Sequence, residues 1–117
     1  MAVMTDLYDR LLSLDHEAFA AGSYEVAYHA LAAAMHCALD LEPPQLLADV
    51  AQRATEQMTW IDDRSPVHTL STRSAGQRGH NSVYGLLARQ ATTHAHMLVH
   101  RQTAACAGSA PRASRPR

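Results

Sequence analysis

The chain has 117 residues, enough for one domain with a single modest core, and its 47% apolar and 18% charged content fits a folded globule rather than a disordered chain. Only 5% of the residues are aromatic and alanine is abundant, which favours closely packed helices over a β-sandwich. No apolar run approaches the roughly 18–20 residues of a membrane span, and the start, MAVMTDLYDR, carries acids instead of a basic-then-apolar leader, so no membrane partner and a cytoplasmic location are expected.

The net charge of −1 conceals a partition. Residues 1–63 hold all 11 acids and only two arginines, Arg10 and Arg53, whereas residues 64–117 hold eight arginines and no acid, and there is no lysine. Such asymmetry between halves points either to an anionic partner or to charge pairing of one half with the other, within one chain or between two.

In chain order, the first helix is expected from Asp6 to Ala21, capped by Thr5, with Asp6 and Asp9 at the positive end of its dipole. Leu7, Leu11, Leu14, Ala18 and Ala21 form one stripe, and Tyr8, Leu12 and Phe19 widen it enough to touch two neighbours. Gly22 ends the helix by adopting positive φ, Ser23 caps the next, and so short a link makes an antiparallel hairpin. The second helix, Tyr24 to Leu39, buries Tyr24, Ala27, Tyr28, Leu31, Ala34, Met35 and Ala38, with Cys37 among them as a small hydrophobe. Pro43-Pro44 breaks the chain and opens a third helix to Ile61, with Leu47, Val50, Ala51, Ala54, Met58 and Ile61 inward and Trp60-Ile61 closing the core.

Residues 62–79 have no helical period and read as a long loop. Asn81 or Ser82 caps a fourth helix to Ala105, whose face collects Val83, Leu86, Leu87, Ala91, His94, Met97 and Leu98. The Arg-, Pro- and Ser-rich stretch 108–117 is expected to be a disordered tail after a single helical domain, 1–107. The expected fold is therefore all-α, a four-helix up-down array with a long loop before the fourth helix.

Gly22-Ser23-Tyr24-Glu25-Val26-Ala27, followed by Leu31 and Ala34, resembles the second helix of a tetratricopeptide repeat (TPR), with Leu11 and Leu14 at the large apolar positions of the first helix. The likeness covers roughly residues 7–39, about one repeat. Pro43 comes late for the pattern, Leu14-Asp15 replaces its leucine and glycine, and no second copy follows at the family's offset. The resemblance implies a TPR-like N-terminal hairpin and a role in protein–protein interaction through a helical groove.

Candidate sites are few. His96 and His100 are one turn apart, as are Glu25 and His29, so each pair can offer two ligands to a metal. The spacing Glu-x-x-x-His, present once, is not that of a carboxylate-bridged diiron bundle, and Arg89 lies near the azimuth of the histidine pair. Arg64, Arg73, Arg78, Arg89 and Arg101 are the candidates for an anionic partner, nucleic acid included, although Tyr84 is the only aromatic after Trp60 for base stacking. Ser65, His68 and Ser71 share the loop without a nucleophile motif, and no P-loop, dinucleotide fingerprint or C-x-x-C occurs.

The sequence thus favours a non-enzymatic interaction or scaffold module with no cofactor, acting on a protein partner or on itself as a homodimer. An anion- or nucleic-acid-binding protein and a His/carboxylate metal protein are the alternatives.

Overall fold

The computed structural model describes the backbone of residues 2–114 and the side chains of residues 3–104. It is all-helical over the described residues: α1 (Ala2–Ala20), α2 (Tyr24–Leu41), α3 (Pro44–Arg64), α4 (Thr72–Gln77) and α5 (Val83–Ser114). α1 begins before Thr5, which lies inside the helix and does not cap it. The boundary expected at residue 107 falls within α5, beyond the last side chain described.

Two antiparallel hairpins make the body, α1 against α2 and α3 against α5, with α2 joining them. Gly22 makes the first turn with φ +82°, as a C′ glycine should. Alanines 27, 30, 34 and 38 of α2 are buried, and their small side chains let neighbouring backbones approach closely. The core gathers Leu31, Met35, Leu47, Val50, Ile61, Tyr84, Leu87 and Leu98. Cys37 is buried among them and free, its thiol pushed up by burial and then by Asp40, which disfavours the thiolate.

Three polar contacts tie α1 to α3. The Tyr8 hydroxyl donates to the Leu46 carbonyl (3.1 Å), Arg53 donates to the Leu12 carbonyl (3.3 Å), and the Gln57 amide donates to both Asp15 oxygens (2.8 Å each). Partner numbers rise together along both helices, so α1 and α3 run parallel. The second hairpin therefore stacks on the first in the same sense.

Further expectations need correction. The segment 62–79 is not all loop: α3 continues to Arg64, and Thr72–Gln77 forms α4. The Ser71 side chain caps α4 by accepting from the Ser74 N–H (3.0 Å), and Asp62 accepts from the Thr72 N–H (2.7 Å). Leu7 and Leu14, placed in the core stripe of α1, are 39% and 47% exposed, because the helix turns Tyr8, Asp15 and Ala18 inward instead. Leu86 and Met97, placed on the buried face of α5, are 39% and 55% exposed for the same kind of reason: Tyr84, Leu87, Ala91, Ala95 and Leu98 take the inward face.

α2 ends on Glu42, a non-glycine residue at φ +81°. The left-handed region crowds an L side chain against the following carbonyl, and glycine escapes this at some entropic cost. Glu42→Gly is expected to stabilise the fold by about 0.5–1 kcal/mol, read as a raised denaturation midpoint with an unchanged slope.

Candidate interaction surfaces

Among the described residues, the acids of the first half make no ion pair with the arginines of the second. Among the described residues the ion pairs are Arg10–Asp6 (3.7 Å) and Arg53–Asp15 (3.5 Å), both within the first 63 residues. The arginines of the second half take other roles. Arg64 stacks over the Trp60 ring at 4.2 Å. Arg78 donates to the Thr69 carbonyl (3.2 Å) and the Ser74 hydroxyl (2.9 Å), bracing the segment before α4. Arg73, Arg89 and Arg101 are exposed, and none forms an ion pair among the described residues. Arg64 thus ends α3, Arg73 lies in α4 and Arg78 just after it, while Arg89 and Arg101 lie along α5, about 18 Å apart at 1.5 Å per residue.

The proposed metal ligands are not brought together. Tyr84, in the first turn of α5, donates its hydroxyl to the Tyr24 carbonyl (3.1 Å), which sets the start of α5 beside the start of α2 and hence near Glu25 and His29. His96 lies about three turns further along α5, in a crevice of about 340 Å³ shared with Pro44, Ala48 and Ala51 of α3. No group of three histidine, cysteine or acidic side chains positioned for a metal occurs among the described residues. His29 instead meets the Tyr28 ring edge at 5.1 Å. In the connection, His68 Nδ1 accepts from the Leu70 N–H (3.0 Å), and the Ser71 hydroxyl donates to the Pro66 carbonyl (2.6 Å). These polar atoms hold the loop's own backbone.

Sequence reasoning did not single out Asp15 and Gln57. Asp15 is fully buried, and burial pushes its carboxyl above the ordinary carboxylate value even though the Gln57 hydrogen bonds and the Arg53 charge oppose the rise. Gln57 Oε1 is buried without a hydrogen-bond partner. Above this pair opens a cavity of about 390 Å³ between α1 and α3, lined by His16, Phe19, Arg53, Glu56 and Trp60. Phe19 packs against Tyr24 at 4.8 Å and meets the Trp60 ring at 6.4 Å, which closes the end of that cleft. The signal was in the sequence: Asp15 stands one turn from Leu11 and from Phe19, at a spacing otherwise filled by apolar residues.

Two helix faces stay open. On α1, Val3, Leu7 and Leu14 form an exposed stripe beside Asp6, Arg10 and Glu17, and a furrow of about 460 Å³ runs along Leu7, Leu11 and Leu14. On α5, Leu86, Gln90, Thr93, Met97, Arg101 and Ala104 recur at helical spacing, and every one of them is exposed. Arg89 flanks this stripe, and a smaller furrow of about 210 Å³ follows Leu86, Gln90 and Thr93. α3 begins at Pro44, opposite Val99, so α5 continues past the end of its hairpin partner, and residues Val99–Ala104 are all exposed.

No family model, curated protein or solved structure matches this chain. No helix among the described residues is long and apolar enough to cross a membrane.

Proposed function

We propose that this chain is a non-enzymatic helical interaction module, with the open face of α5 as its principal docking surface. The observation that carries this reading is the stripe Leu86–Thr93–Met97, apolar at its ends, flanked by Arg89 and Arg101 and exposed among the described residues. Exposed apolar side chains set singly are ordinary, but Leu86 and Met97 share one side of α5 over three turns, with Gln90 and Thr93 between them, and such a side offers ridges and grooves to a second helix. The arginines select a partner with an acidic rim. The two hairpins stacked in the same sense are in keeping with a TPR-like arrangement, in which a helical surface receives another protein.

The test is a photo-crosslinking residue placed at Thr93, with Thr59 on the exposed side of α3 as the control position. Irradiation in cells is expected to give discrete adducts from Thr93 and none from Thr59. Adducts of equal yield from both positions, or none from Thr93, overturn the reading.

A further inference from the structure

We infer that the partner of the α5 face is a second copy of this chain, presenting the open face of α1, and that two copies exchange these contacts reciprocally. The inference rests on the interaction reading above and names its partner.

Charge decides which face meets which. The furrow and stripe of α1 carry Asp6, Asp9 and Glu17 against the single Arg10. The α5 stripe carries Arg89 and Arg101, and no acid occurs anywhere after Asp63. Two α5 faces set together oppose arginine to arginine, and two α1 faces oppose carboxylate to carboxylate. Only α1 against α5 brings unlike charges to the rim while joining Leu7 and Leu14 to Leu86 and Met97.

Within one chain this pairing is not made: α1 packs on α2, α5 packs on α3, and the described arginines of α5 reach no carboxylate. Each copy therefore carries both halves of an unmade contact. A two-fold pair satisfies both at once, because residue i of one copy meets residue j of the other and the reverse. The apolar stripes supply most of the affinity, and the charges set direction and register.

The experiment uses the purified full chain and sedimentation equilibrium at low salt. The wild type is expected to be a dimer at micromolar concentration. Arg89→Glu with Arg101→Glu, and separately Asp6→Arg with Glu17→Arg, are each expected to weaken self-association by about tenfold or more. Mixed together, the two variants regain complementary faces on both contacts and are expected to form a one-to-one heterodimer. All four positions are exposed, and circular dichroism checks that the helices persist. Arg89→Lys with Arg101→Lys keeps the charge and should dimerise as the wild type does.

A monomeric wild type, or reversed variants that associate as well as the wild type, overturns the proposal. If the purified chain is monomeric while Thr93 still gives adducts with another protein in cells, the self-pair fails and the interaction reading stands. Absence of any Thr93 adduct removes both.

Discussion

Replacing Tyr84 by alanine is expected to destabilise the fold by about 3–5 kcal/mol, the largest single-residue effect in this chain. Tyr84 is fully buried, and among the described residues it is the largest side chain in that state. Its ring meets the edge of Tyr28 at 5.6 Å, and its hydroxyl donates to the Tyr24 carbonyl at 3.1 Å, so one residue of α5 ties the second hairpin to the start of α2. Tyr84→Phe keeps the volume and loses only the hydrogen bond, for about 1 kcal/mol. Denaturant titration of the two variants separates the terms. A loss on Tyr84→Ala no larger than on Tyr84→Phe would show that the ring does not hold the hairpins together.

The same burial fixes an alkaline limit. Burial, followed by the Asp49 charge, pushes the Tyr8 phenol up to about 12, and burial, followed by Asp15, pushes Tyr84 higher still. A group whose value is raised by folding contributes stability that is complete below its unfolded value and lost as pH climbs. Both tyrosines should therefore cost stability above about pH 10, the unfolded value for phenols. Their phenolate absorbance should appear with unfolding instead of before it.

Gln57→Leu is expected to cost about 3 kcal/mol at neutral pH, because it strips both amide hydrogen bonds from a buried carboxylate and leaves Arg53 as its remaining partner. The carboxyl of Asp15 is raised by folding, so the sign is opposite to that of an ordinary surface acid. Its contribution is complete below about pH 4 and falls as pH rises through the folded value. In its protonated form Asp15 has a proton to donate, and Gln57 Oε1 is a buried acceptor with no donor. A turn of the Gln57 amide that brings Oε1 to this proton would make an acid–amide pair and satisfy both groups.

Asp15→Asn carries such a donor at every pH. This variant should be at least as stable as the wild type at pH 7 and should lose the fall in stability above pH 4. In the Asp15→Asn background, Gln57→Leu should cost much less, and a double-mutant cycle reads the difference. An Asp15→Asn variant clearly less stable than the wild type at pH 7 would mean that the ionised carboxylate, with Arg53, is the stabilising form.

Much of the fold was legible in the sequence because its punctuation is chemical. Gly22 takes positive φ, Pro43-Pro44 separates α2 from α3, and the Ser82 side chain accepts from the Gly85 N–H (3.3 Å) to start α5. The inward residues of α2 and α3 follow one clear stripe each. α1 and α5 were harder because both carry apolar residues around more than half of their circumference. Periodicity then locates a helix but does not say which side faces the core. Leu7 and Leu14 keep helical spacing as well as Tyr8 and Ala18 do, and the positions of α2 and α3 decide between them.

α4 escaped notice because TRSAGQ buries a single residue, Ala75, and so has no stripe to detect. Charge counts state that pairing is available, and geometry alone states that the described arginines after Asp63 form no ion pair.

The most direct measurement is the rate at which Met97 is oxidised by peroxide in intact cells, read by mass spectrometry. Met97 is 55% exposed in the single chain, and Met58, half-buried against α5, serves as the internal reference. A docked α5 face predicts slow oxidation of Met97 in the wild type and faster oxidation in the Arg89→Glu, Arg101→Glu variant, with Met58 unchanged. Equal and rapid oxidation of Met97 in both proteins would contradict the account, because the stripe would then be solvent-facing in the protein at work.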